Sequence, residues 1–258
     1  MSDTNTSGDH VEVAGAKIHL LKSGSGDAIL SLHSIEGNLG LLPYLDALSQ
    51  SACVYAPTHP GFGSSERPDW LETIADLARF YLWMLQGIEL DKVHLMGGFM
   101  GGWVAAEMAV MNPDILQSLT LIGTAGVRPS EGEIADIFLL GDEQTTSLSI
   151  GNPDLLTTAI EPEDPFVRLR GREMTTRLCW KPYMHSPSLI HLLPRVHVPT
   201  LILWGENDRI VPVSAGERIA DAMPDARLEI IAGAGHLPHI ERPNEVIPLL
   251  QQHMGLTD

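Results

Sequence analysis

The 258-residue chain has few basic residues, few cysteines and no long apolar run, and each shortage argues against a class of protein. Sixteen Lys and Arg stand against 33 Asp and Glu, which gives a formal net charge of −17 at pH 7. That charge disfavours nucleic acid and anionic membrane surfaces as partners. The two cysteines, Cys53 and Cys179, have neither metal-site nor redox-motif spacing, so we expect buried thiols in a reducing compartment.

Targeting and cofactor motifs are missing as well. The opening "MSDTNTSGDH" has no basic stretch followed by an apolar one, so we expect no signal peptide, no membrane span and a cytoplasmic protein. The sequence contains no dinucleotide-binding glycine fingerprint and no residues at metal-ligand spacing. We therefore expect no cofactor and no metal. The sequence does not exclude a homodimer.

Short apolar runs alternate with segments of helical periodicity, which predicts an α/β fold: a mostly parallel sheet covered by helices on both faces. The first element expected is an antiparallel hairpin turning at Ala14 and Gly15. Strands are then predicted over 28–34, 52–57, 92–97, 116–123, 199–205 and 226–233, and helices over 39–50, 69–87, 100–111, 214–222 and 243–253.

The segment 124–198 breaks this alternation, because it is rich in Pro, Gly and Glu and then turns helical around "RLRGREMTTRLCW". Core strands are predicted on both sides of it. We therefore expect a helical cap inserted into a core made of 1–123 and 199–258. The alternative is a flexible linker between independent domains.

Three motifs carry the chemistry. In "VHLMGGFMGGWVAAEMAV" a buried strand, a glycine turn and a helix follow one another, with Phe99 at the apex of the turn. Asp208 follows a strand in "LILWGENDRIVP", and His236 lies in "AGAGHLPHIERP" after the last strand. Loops at the carboxyl ends of parallel strands converge, so these residues can meet although they are distant in sequence.

The order of these motifs resembles the α/β-hydrolase superfamily over essentially the whole chain. The closest likeness is to a cap-bearing bacterial branch of carbon–carbon bond hydrolases, lactonases and esterases. In that family a nucleophile, an acid and a histidine follow in this order. The resemblance gives these places to Phe99, Asp208 and His236, so a phenylalanine stands where the family carries serine. His239 is the competing histidine, but the "G-H" pattern favours His236.

The resemblance also implies an oxyanion hole. Its two backbone N–H groups would come from the His33-Ser34 loop and from Met100, the residue after the apex. The family usually has His-Gly where this chain has His33-Ser34, so the Ser34 hydroxyl either narrows the hole or faces the substrate. Glu36 in the same loop is either a bracing carboxylate or a second acid. His59 is expected to be structural.

Losing the serine excludes the acyl-enzyme route unless another hydroxyl substitutes, since removing a triad serine costs about 10⁶-fold in kcat. One hypothesis is an enzyme in which His236, oriented by Asp208, acts as general base in non-covalent hydrolysis, carbon–carbon cleavage, isomerisation or cyclisation of an activated apolar or aromatic molecule. The other is a non-catalytic binding protein or accessory subunit. In the cap, Trp180 and an arginine (Arg172 or Arg177) are candidate substrate contacts; the alternatives are a core tryptophan and solvated arginines.

Overall fold

The structure is a computed structural model that describes residues 7–152, 155 and 165–256. Within these residues eight strands form one sheet: β1 (Ser7–Val13), β2 (Ala16–Gly24), β3 (Ala28–Leu32), β4 (Cys53–Pro57), β5 (Val93–Gly98), β6 (Leu116–Ile122), β7 (Thr200–Gly205) and β8 (Ala226–Ile231). The strand order is β1-β2-β4-β3-β5-β6-β7-β8. β2 pairs antiparallel with β1 and β4, and all other pairs are parallel. The predicted fold class is confirmed.

The described α-helices are α1 (Pro43–Ser49), α2 (Ile74–Gly87), α3 (Phe99–Met111), α4 (Asp142–Ser149), α5 (Pro165–Cys179), α6 (Leu189–Leu192), α7 (Val213–Ala222), α8 (Pro238–Glu241) and α9 (Pro243–Met254). Short 3₁₀ turns occupy Pro113–Ile115 and Leu193–Arg195. None of the helices in the described ranges is long and apolar enough to cross a membrane.

Two apolar cores lie on opposite faces of the sheet. Side chains of α2, α3 and α7 pack in the first core, and those of α1 and α9 pack in the second. Neighbouring strand residues alternate between them, as Leu203 and Trp204 do, because successive side chains of a strand point to opposite faces. Helices on both sides explain why β3, β5 and β7 are buried along their whole length.

Two helices start later than the periodicity predicts, for local reasons. α1 begins at Pro43, since Gly40 has a positive φ of 78° and proline suits the first turn of a helix. α2 begins at Ile74, where Thr73 and Asp76 form a capping box. α4, α5 and α6 all lie between β6 and β7. The division of the chain into core and cap stays a prediction.

α3 is buried on nearly every side, with each residue from Phe99 to Val110 buried. A helix that is apolar all round needs cover on its outer face as well as on the sheet. α2 and the segment between β6 and β7 provide that cover, the latter through Leu189 and Leu193. The turn that starts α3 therefore lies inside the protein, at the carboxyl edge of the sheet.

Candidate functional site

Phe99 is the apex of a tight turn between β5 and α3, with a φ of +44°. The turn is tight because glycines let the backbone segments touch. A Cβ at Gly97 would lie 2.4 Å from the Gly101 carbonyl, and a Cβ at Gly101 would lie 2.2 Å from the Leu32 oxygen. A positive φ at a bulky residue costs on the order of 1–3 kcal/mol. Met100 has no positive φ, so Phe99 rather than Met100 is the apex residue of the turn.

The Phe99 backbone and ring are both held in place. Its carbonyl accepts hydrogen bonds from Ala125 N–H and Thr124 Oγ1, each at 3.2 Å. The side chain is 1% exposed, and its ring meets the His236 ring edge to face, with centroids 4.7 Å apart. Phe99 therefore fills the space beside His236 with an apolar surface.

Asp208 and His236 form a buried pair. His236 Nδ1 lies 2.8 Å from Asp208 Oδ2, and both side chains are at most 1% exposed. The other carboxylate oxygen of Asp208 accepts from the N–H groups of Ile210 at 2.8 Å and Val211 at 2.9 Å. With Nδ1 donating to the carboxylate, the imidazole tautomer leaves Nε2 as the acceptor.

Charge and burial act on His236 in opposite directions. Burial is the largest influence and favours the neutral ring, but the charge of Asp208, its hydrogen bond, and the charges of Glu36 and Glu241 together raise the pKa of His236 above its ordinary value. His236 Nε2 is buried and has no hydrogen-bond partner among the described residues. Such an unpaired nitrogen costs about 1–3 kcal/mol, a cost that proteins commonly bear at functional sites.

Two residues that the sequence did not single out position His236. The backbone N–H of His236 donates to the Ser149 carbonyl at 2.8 Å, which ties the dyad to α4. Glu241 accepts from Gly235 N–H at 2.7 Å and from Gly151 N–H at 2.9 Å, bracing the same loop. The contacts of Ser149 with His236 and of Gly151 with Glu241 join segments far apart in the chain, so no local motif marks them.

His33 and His59 brace the loop after β3 with neutral rings. His59 N–H donates to His33 Nε2, and His59 Nε2 donates to the His33 carbonyl, each at 2.8 Å. The Tyr81 hydroxyl donates to His59 Nδ1 at 2.5 Å. Burial lowers the pKa of His33 to about 4 and that of His59 well below its usual range. The nitrogens of both rings are thus engaged in hydrogen bonds within the protein.

Ser34, Glu36 and His239 line a cavity beside the dyad, between loop 33–40, α1 and α8. Ser34 Oγ and His239 Nδ1 are buried and have no hydrogen-bond partner in the described part of the chain. Met100 is the second residue of α3, where a backbone N–H has no acceptor within the helix. His239 does not pair with Asp208; its ring packs edge-on against Tyr44 instead.

The cap residues proposed as substrate contacts have partners of their own, and their role toward a substrate stays a prediction. Arg177 binds Glu72 and Glu173 on the surface, each at 2.7 Å. Trp180 is 52% exposed and packs against Phe138 and Tyr183. Neither lines the cavity beside the dyad. Arg177 thus pairs with one carboxylate on α5 and with another just before α2. Arg172 likewise donates to the Leu140 carbonyl, at 2.9 Å.

The fold and the dyad together define the class of protein, and comparison with known proteins agrees. Residues 32–249 match the alpha/beta hydrolase family, so the chain belongs to this family. It is 28% identical over 265 residues to a monoacylglycerol lipase of Xenopus laevis, covering 91% of this chain and 77% of the lipase. It is 24% identical over 253 residues to a 2-hydroxy-6-oxo-6-(2'-aminophenyl)hexa-2,4-dienoic acid hydrolase of Metapseudomonas resinovorans, covering 91% and 86%.

The structures agree on the fold. The 2-hydroxy-6-oxo-6-phenylhexa-2,4-dienoate hydrolase of Rhodococcus sp. strain RHA1 superposes with a TM-score of 0.79 at 22% identity, over 98% of this chain and 99% of that one. Proteins named as hydrolases are thus among the relatives, and their structures share the α/β fold of this chain.

Proposed function

We propose that this chain is a hydrolase-type enzyme that works without a serine nucleophile and uses the His236–Asp208 dyad as a general base. The observation that carries the proposal is the buried dyad itself: a 2.8 Å hydrogen bond orients the imidazole, and Nε2 has no partner. An oriented ring with one unpaired nitrogen is what a general base requires. Phe99 at the apex supports the absence of a serine nucleophile, because a phenyl ring has no hydroxyl that could attack a substrate.

The proposed reaction is the attack of water on an activated carbonyl. His236 Nε2 takes a proton from water as the oxygen forms a bond to the carbonyl carbon. The backbone N–H groups of Met100 and Ser34 stabilise the negative charge on the carbonyl oxygen. When the carbon–leaving-group bond breaks, His236 returns the proton to the leaving group. The same proton transfer serves isomerisation or cyclisation when the substrate itself carries the acidic proton.

The magnitude of general-base catalysis limits the substrate. A positioned base contributes about 10²–10⁴-fold, well below the roughly 10⁶-fold that depends on a protease triad. The substrate must therefore be activated already, as in a lactone or in a vinylogous diketone of the kind that carbon–carbon hydrolases cleave. The Phe99 ring adds an apolar wall beside His236, which suits an apolar or aromatic substrate.

A second candidate is a small-molecule-binding pseudo-hydrolase, or an accessory subunit. It is favoured by the packing around Phe99, whose ring is 1% exposed and lies against His236. Catalysis requires that water or substrate reach Nε2 past this ring. A binding protein has no such requirement.

The test separates turnover from binding. His236→Ala and the surface control His191→Ala are each assayed against activated lactones, nitrophenyl esters and dienoate ketones, and ligand affinity is measured separately by calorimetry. The proposal expects His236→Ala to lower turnover by about 10²–10⁴-fold while affinity stays within a few-fold. Unchanged turnover in His236→Ala, with binding retained, supports the binding protein instead.

A gain-of-function variant tests the oxyanion hole. The pair Phe99→Ser with Gly98→His restores a hydroxyl at the apex, and a Cβ at Gly98 would meet nothing closer than 3.7 Å. We expect new nitrophenyl-ester hydrolysis with a burst of acyl-enzyme, absent from the matched control Phe99→Ala with Gly98→His. A folded variant that gains nothing counts against an assembled oxyanion hole.

A further inference from the structure

β8 lies at one edge of the sheet and pairs with β7 on one side. The carbonyls of Asp225 and Ile231 accept hydrogen bonds from the β7 side, at 2.8 and 3.0 Å, so the odd-numbered residues of β8 direct their backbone groups to β7. The even-numbered residues direct theirs away from the sheet, and no described residue hydrogen-bonds to these outward groups. The outward residues are Ala226, Leu228 and Ile230.

The side chains of β8 leave this edge open as well. Ala226 and Leu228 pack against the first core, but Ile230 is 48% exposed, whereas β7 is buried along its whole length. Arg227 and Glu229 are partly exposed, with Nε and Oε1 3.5 Å apart. The edge therefore combines unpaired backbone groups, an exposed isoleucine and one charge of each sign. A free strand edge of this kind is a template for pairing with another strand.

We propose that β8 pairs with β8 of a second copy of this chain, antiparallel and across a two-fold axis at Leu228. Hydrogen-bonded pairs of an antiparallel ladder join outward-facing residues of both strands. An axis at Leu228 meets this condition, because Leu228 lies opposite Leu228 of the second copy and Ile230 lies opposite its Ala226. The pairing joins two eight-stranded sheets into one and needs no substrate, so it goes beyond the proposed catalysis.

The charges of β8 favour this register. Arg227 lies opposite Glu229 of the second copy, and the two-fold axis repeats the pair. Both are non-hydrogen-bonded pairs, in which the Cα atoms come within about 4.5 Å and the side chains are closest. Opposite charges in such pairs are stabilising, and like charges are destabilising. Moving the axis to Ala226 would set Leu228 against Pro224, which has no N–H to donate.

The opposite edge of the sheet, β1, lacks this complementarity. β1 carries Asp9 and Glu12 and no lysine or arginine. Two copies of β1 would therefore bring carboxylates together without a strongly basic partner. The net charge of −17 on each copy repels the other at long range, but salt screens that repulsion beyond about 8 Å at physiological ionic strength. Close pairs, as at β8, then determine the association.

The first measurement is the oligomeric state of the full chain at about 0.15 M salt. Sedimentation velocity and light scattering after size-exclusion chromatography are run over a dilution series. We expect a dimer that dissociates on dilution. A chain that stays monomeric at about 1 mM overturns the proposal and leaves the edge to a strand of a different protein.

Charge variants then test the register. Arg227→Glu and Glu229→Arg each place like charges opposite one another, and each should weaken dimerisation by about tenfold or more. Mixing the two variants restores opposite charges in both pairs, so a heterodimer should form at concentrations where neither variant dimerises alone. Arg79→Glu, on the exposed side of α2, is the matched control and should dimerise like the native chain. A mixture that stays monomeric, or single variants that dimerise like the control, refutes the register.

A variant without a charge reversal tests the edge independently. Ile230→Lys places an ammonium group at the edge, as proteins commonly do to prevent strand pairing, and should weaken dimerisation by about tenfold or more. Leu139→Lys is the matched control, because Leu139 is also an exposed aliphatic residue but lies outside β8. Circular dichroism checks that both variants are folded. Equal dimer affinities of the two variants would place the interface elsewhere and overturn the proposal.

Discussion

Replacing Phe99 by serine should create a hydrogen bond to His236 that the native protein lacks. The perturbation has two parts that can be separated. Removing the phenyl ring leaves a hole in a buried site, and a Phe→Ala change of this kind costs about 3–5 kcal/mol. Adding a hydroxyl beside His236 Nε2, which has no hydrogen-bond partner among the described residues, should raise the free energy of unfolding by about 1 kcal/mol. This is the net contribution of one hydrogen bond that replaces a bond to water.

The comparison of Phe99→Ser with Phe99→Ala isolates the second part, because both variants lose the ring and keep the same backbone turn. We expect the serine variant to be more stable than the alanine variant by about 1 kcal/mol. For a chain of this size that difference corresponds to roughly 2–4 °C in Tm. Urea unfolding at alkaline pH, where Nε2 is unprotonated, measures it.

The control is the same pair of variants made in a His236→Ala background. There the hydroxyl has no imidazole to bond with, so the advantage of serine over alanine should vanish. A coupling energy below about 0.3 kcal/mol, which is the level of ordinary additivity, would show that the apex side chain does not point at Nε2. The reasoning about the elbow would then be refuted.

Three further predictions test the dyad, the cavity and the turn. Asp208→Asn removes the charge that raises the pKa of His236, so the midpoint of the His236 titration followed by NMR should fall. An unchanged midpoint would mean that other charges determine the pKa of His236. His239 has a folded pKa of about 3 against about 6.5 when unfolded, so below pH 6.5 the unfolded state binds the extra proton and the protein loses stability as the pH is lowered. His239→Leu should reduce this pH dependence by about 1.4 kcal/mol per pH unit in urea unfolding between pH 6 and pH 4. An unreduced pH dependence would contradict the burial argument. Gly101→Ala should prevent stable folding, since its Cβ would lie 2.2 Å from the Leu32 oxygen. The control Gly87→Ala, whose Cβ would have nothing within 4 Å, should change stability by less than about 1 kcal/mol. Thermal melts followed by circular dichroism compare the two variants, and a stable Gly101→Ala would show that the turn can relax.

Much of the fold could be predicted from the sequence because its signals are local. The alternation of buried apolar runs with helical periodicity predicts the parallel sheet, and the hairpin at Ala14 and Gly15 follows from its turn residues. The glycine spacing around Phe99 marks a tight strand–turn–helix unit, and the structure gives Phe99 the positive φ that such an apex requires. Helix starts were less predictable, because Pro43 and the Thr73 capping box, rather than apolar periodicity, determine them.

The surroundings of the cap residues proposed as substrate contacts were less predictable than the dyad. An arginine in a sequence does not reveal which carboxylate it will meet, and Arg177 meets Glu72, which is 105 positions away. Trp180 illustrates the same limit, since whether an aromatic residue just after a helix is buried or exposed depends on neighbours that the sequence does not name. The contacts of Ser149 and Glu241 with the His236 loop were missed for the same reason.

The sequence by itself determined the fold class and the family, and it predicted which residues stand at the apex, the acid and the histidine positions. Patterns of a few residues carry that information, and the parallel sheet brings the ends of its strands together whatever lies between them. Only the tertiary structure decided what those residues do to one another: that the Phe99 ring lies against His236, and that Nε2 has no hydrogen-bond partner in the described part of the chain. Burial and hydrogen bonding between distant segments set these relations, and neither can be read from local spacing.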